Sequence, residues 1–130
     1  MATHDPDKIE LAREQLARVQ VAWFDPVDWS DLSLYAFYAV ENAVVAAADA
    51  VGLAWAQTHP SKVQAAGQLH EQFGLPDVSS LLVELNDLRK ATAYGEAQPS
   101  HSLSAEDIAI DVERFVEAVA AFVNLQGVEE

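Results

Sequence analysis

Apolar residues recur along this chain at spacings of three and four, the mark of helices that each bury one face. Ile9, Ala12, Leu16, Val19 and Trp23 give the first such stripe and predict a helix from about Asp7 to Trp23. Asp5 or Asp7 caps its start, and Asp25-Pro26 ends it, because a residue before proline avoids the α region. A second helix is predicted from Ser30 or Asp31 to about Gln57. Its apolar residues wrap much of the circumference, as in a central helix buried on more than one side. One face reads Leu34, Tyr38, Glu41, Val45, Ala48, Gly52 and Trp55, so Glu41 breaks an apolar stripe. Either Glu41 is paired in the interior or this face lines a groove.

Thr58-His59-Pro60-Ser61 reads as a turn and a new helix start, with Val63, Ala66, Gly67, His70 and Phe73 on the inner side of the third helix. Gly74-Leu75-Pro76-Asp77 stops it, and Asp77 caps a fourth helix from about Val78 to Ala93. Val78, Leu81, Leu82, Leu85 and Leu88 form the apolar face there, with Asn86 and Arg89 at its border. A loop of small and polar residues follows, Tyr94 to Leu103. Ser104-Ala105-Glu106-Asp107 is a capping box that opens the last helix. Its period is carried by Ile108, Val112, Phe115, Val116, Val119, Phe122 and Val123, and fraying is expected from Gln126 onward. Five helices with short connections imply an all-α antiparallel bundle, a single domain with its core over residues 7–124.

Composition supports that architecture. The 130 residues suit one domain, 51% of them are hydrophobic, and there is no cysteine to staple or to react. The acidic N-terminus is the opposite of a basic signal-peptide start. The longest apolar run, Ala43 to Ala56, is broken by Asp49 and falls short of the roughly 20 residues that span a bilayer. A cytoplasmic location with no membrane contact is expected.

Charge narrows the partners. Asp and Glu number 21 against 7 Lys and Arg, a formal net charge of −14. Such a surface repels bulk polyanions, and a face that neutralised many phosphates would need clustered cations. Only Arg89 and Lys90 are adjacent. DNA is therefore not expected and RNA is disfavoured, whereas a basic protein partner is accommodated.

Candidate chemistry is sparse. His4, His59, His70 and His101 show none of the spacings that set two metal ligands on one helix face, so neither a metal nor a cofactor is expected. No nucleophile triad or glycine-rich phosphate loop is present. His70, on the expected inner side of the third helix, reads first as a hydrogen-bonded core or edge residue and second as a binding residue or base. Asn86 and Arg89 project from one face, three residues apart. Tyr94 lies five beyond Arg89, and Gly95 lets the chain turn it back. An arginine at the edge of an apolar stripe is a candidate clamp for an oxyanion or phosphate. Its structural alternative is an ion pair with Glu41, since each buried charge asks for a partner.

Two stretches make the chain resemble the HEPN superfamily, the helical domains of prokaryotic toxin–antitoxin and defence systems. One is Ala36 to Ala43, with Glu41 facing inward; the other runs from Leu85-Asn86-Asp87-Leu88-Arg89 to Tyr94-Gly95. The second resembles the family's Arg-x4–6-His signature on its fourth helix, and the five-helix layout extends the likeness over nearly the whole chain. The resemblance implies the bundle fold, a homodimer and a site where two protomers meet. In active members the Arg and His assist attack of a ribose 2′-hydroxyl on the adjacent phosphate without metal. Arg89 matches the Arg, but Tyr94 stands where the His belongs, and tyrosine, with a pKa of about 10, is a poor base at neutral pH. Members lacking that His occur as non-catalytic partners, often beside a nucleotidyltransferase-like protein. The expectation is thus a dimeric interaction component with weak or no ribonuclease activity. Its alternatives are a metal-independent RNA endonuclease using Arg89 and Tyr94 at a dimer cleft, and a helical module binding a small ligand near Glu41 and Arg89.

Overall fold

A computed structural model describes residues 7–24, 26–93 and 104–128 of the chain. It contains five helices in the order expected: α1 (Asp7–Ala22), α2 (Trp29–Val51), α3 (His59–Phe73), α4 (Ser79–Ala93) and α5 (Ala105–Val128). No strand occurs among the described residues. The chain is an all-α bundle. Tyr94, Gly95 and the rest of the expected loop, His101, His4 and the cap assigned to Asp5 lie outside the described residues.

α2 is the axis. It packs against each of the other four helices, with α1 and α5 paired on one side and α3 and α4 paired on another. The cause is its small side chains: Ala36, Ala39, Ala43 and Ala47 have no exposed surface and let neighbours approach closely all round. Leu32, Val40 and Val44 fill the gaps, and each such side chain contributes about 1.5–3 kcal/mol on burial. By length and composition α2 is long and apolar enough to cross a membrane, although the broken apolar run did not suggest it, and more than half of its most apolar stretch is buried in the bundle.

Both ends of α2 differ from the expected boundaries. Asp28, not Ser30 or Asp31, is the N-cap: its Oδ1 accepts from the Asp31 backbone N–H at 3.0 Å. The helix stops at Val51 instead of Gln57 because Gly52 takes the left-handed conformation, φ 71°. Leu53 N–H then donates to the Ala48 carbonyl at 2.8 Å and Gly52 N–H to that of Asp49 at 3.3 Å, a Schellman closure. Trp55 therefore leaves the helical face predicted for it and turns back, its Nε1 donating to Asp49 Oδ1 at 2.8 Å.

α3 begins at its Thr58 N-cap, with Pro60 in the first turn. Its buried residues are Ala65, Ala66 and Leu69. The expected inner face is thus rotated, and His70 and Phe73 are exposed. Asp77 caps α4, and Ser104 Oγ accepts from the Asp107 N–H at 3.1 Å to open α5. α5 buries Ile108, Val112, Phe115, Val116 and Val119 as its period predicts, and continues to Val128 where fraying was expected.

Candidate functional site

α2, the start of α3 and the second half of α4 meet along a seam that carries most of the buried polar groups. On α2 the seam follows Ser33, Phe37 and Glu41, four residues apart and hence on one face. α3 contributes His59 and Lys62 from its first turn, and α4 contributes Asn86, Arg89 and Thr92.

Phe37 is the floor, 4% exposed. The Arg89 guanidinium carbon lies 4.9 Å from its ring centroid, and Arg89 Nη2 donates to Asn86 Oδ1 at 2.7 Å. Asn86 is one of two buried polar residues on the described chain, which fixes that acceptor in place. Arg89 Nε is buried and has no hydrogen-bond partner among the described residues. On the same ring packs His59, centroids 5.7 Å apart, and its Nδ1 is likewise buried without a partner. Each unmade bond of this kind costs about 1–3 kcal/mol. Below the ring, Thr92 donates to the Arg89 carbonyl at 2.9 Å and its hydroxyl lies 3.4 Å from that of Ser33, tying α4 to α2.

The expected ion pair between Glu41 and Arg89 does not form. Glu41 Oε1 lies 3.3 Å from Lys62 Nζ instead, with side chains only 16% and 13% exposed. The start of α3 puts Lys62 beside Glu41, while Arg89 falls one turn away on α2, over Phe37. Lys62 Nζ also sits 5.7 Å from the Trp55 ring centroid, so Glu41, Lys62, Trp55 and Asp49 form one closed cluster. Arg89 is left with a neutral amide and a ring, and no ion pair to it is present among the described residues.

His70 stands apart from this seam. It is exposed at the end of α3, and its Nδ1 lies 2.9 Å from the Leu75 carbonyl, closing the turn after Gly74. The structure therefore brings Arg89 and Asn86 together, puts Glu41 at the far end of the same seam, and separates His70 from both. Sequence reasoning missed His59 and Lys62. The available signal was their spacing of three behind the Thr58 cap, which places both on one side of a first turn. No group of three or more His, Asp or Glu residues that would hold a metal occurs among the described residues.

No protein-family model, no curated protein and no solved structure matches this chain.

Proposed function

We propose that the chain is a HEPN-like interaction component that works as a homodimer, with Arg89 kept as a contact for a phosphate-type oxyanion and with weak or no RNA cleavage. One observation carries this reading: Arg89 is anchored by Phe37 and Asn86 with no carboxylate paired to it among the described residues, so its full charge and spare donors are available to an external anion. A purely structural arginine at a half-buried position would be expected to pair with Glu41, and Glu41 is taken by Lys62.

Charge and sequence support weak cleavage. A net charge of −14 opposes RNA except where a local cation holds one phosphate, and the position where a HEPN ribonuclease carries its base is a tyrosine, Tyr94. A cytoplasmic toxin–antitoxin or defence pair, with a nucleotidyltransferase-like or other basic protein as partner, is the setting this combination fits. Light scattering on purified protein, followed by incubation with labelled total RNA in EDTA, tests it. A dimer mass and trace or no cleavage are expected. Rapid cleavage abolished by Arg89→Ala would replace this reading with the endonuclease, and a monomer at all concentrations would remove the dimer.

A further inference from the structure

The seam contains two buried side-chain nitrogens without partners among the described residues, Arg89 Nε and His59 Nδ1. They come from different helices, 30 positions apart in sequence, yet both groups rest on the Phe37 ring, within 5.7 Å of its centroid. Buried polar atoms nearly always find partners, so two orphans on one ring mark one incomplete site rather than two packing faults. The cations and acids nearby do not complete it: Lys62 is bound to Glu41, and the Asn86 oxygen is taken by Arg89 Nη2.

His59 is also held too firmly to be a casual surface ring. Thr58 Oγ1 accepts from the Ser61 N–H at 3.3 Å and fixes the turn on which His59 opens α3, and Pro60 stiffens it. An imidazole presents one donor and one acceptor when neutral, and two donors when protonated.

We propose that His59 is the second ligand contact of the Arg89 site, so that one phosphate-type oxyanion takes hydrogen bonds from Arg89 on α4 and His59 on α3 above the Phe37 floor. This rests on the oxyanion reading of Arg89 and adds to it a residue that lies outside the Arg89–Tyr94 segment. The ligand chemistry is a tetrahedral phosphoryl oxygen, from either free phosphate or a ribonucleotide diester.

NMR of the His59 ring and the Arg89 Nε–H, titrated in EDTA with inorganic phosphate and separately with the dinucleotide UpU, tests the proposal. Both signals are expected to move along one binding curve. His59→Phe keeps a ring against Phe37 and removes the nitrogens; it is expected to weaken binding about tenfold with the Arg89 signal still responding. His59→Gln, which keeps polar atoms, is expected to recover part of the loss, and circular dichroism checks that each variant is folded. Saturation by UpU alone assigns the diester as the source, and equal saturation assigns free phosphate. Movement of Arg89 with His59 silent, or unchanged affinity in His59→Phe, overturns the role of His59 and leaves the Arg89 reading standing. Silence of both signals overturns both.

Discussion

The guanidinium of Arg89 sits over the ring of Phe37, 4.9 Å from carbon to centroid, and among the described residues this contact stands in place of the carboxylate that a half-buried arginine ordinarily seeks. A cation over an aromatic face gains about 0.5–2 kcal/mol from the ring quadrupole without losing its charge. Phe37→Leu retains an apolar floor and removes the quadrupole. Urea denaturation should show a loss of about 1 kcal/mol from this contact. Phe37→Ala opens a cavity as well and should cost about 3–5 kcal/mol.

Glu41 and Lys62 should be coupled, and Glu41 and Arg89 should not. In a double-mutant cycle, Glu41→Gln with Lys62→Met is expected to give a coupling of about 1–3 kcal/mol, because one charge removed alone leaves the other nearly buried. The cycle of Glu41→Gln with Arg89→Met is expected to be additive within about 0.5 kcal/mol. The reverse pattern would restore the ion pair predicted from sequence.

Gly52 and Gly67 should respond to alanine with opposite signs. A Cβ at either would meet nothing within 4 Å, so backbone conformation alone decides. Gly52 holds φ 71°, and Gly52→Ala should destabilise by about 1–2 kcal/mol. Gly67 lies inside α3, and Gly67→Ala should stabilise by about 0.5–1 kcal/mol. Thermal melting of the two variants checks both.

Asp77 makes the start of α4 sensitive to acid. The Ser79 hydroxyl, donating at 2.7 Å, and then the Ser79 backbone N–H, at 3.0 Å, hold its carboxyl below the ordinary value of 3.8. A depressed folded pKa means that the stabilisation is fully present above that ordinary value and is lost as pH falls through the folded one. Asp77→Ala should therefore cost about 1 kcal/mol at pH 7 as a lost cap. The gap between wild type and variant should close as pH falls from about 4 towards 2, measured by denaturation at each pH.

How much of this was legible depended on side-chain size. α5 was readable because Ile108, Val112, Phe115 and Val119 are large and repeat on one face, and all are buried. α3 was read with its face turned: Ala66 is buried as expected, but Ala65, too small to stand out beside Val63 and His70, and Leu69 are buried with it in place of His70 and Phe73. The end of α2 was hidden for a related reason: Gly52 falls within a small-residue apolar run, and only its left-handed backbone reveals a cap. Arg89 and Asn86 were visible as polar residues bordering a leucine stripe. Their surroundings were not, because the offsets of α3 and α4 along α2 decide whether Lys62 or Arg89 reaches Glu41, and no spacing within one helix carries those offsets.

The oxyanion role of Arg89 is tested most directly by calorimetric titration of a short RNA oligonucleotide, in EDTA at low salt, into wild type, Arg89→Lys and Arg89→Ala. Losing a charged hydrogen bond of about 1.5–3 kcal/mol corresponds to roughly 10- to 100-fold in affinity. Arg89→Ala is expected to show that loss, and Arg89→Lys part of it, because a single ammonium cannot reproduce the planar fork. Equal binding by all three folded proteins would contradict the account, and Arg89 would then be a packing residue of the bundle.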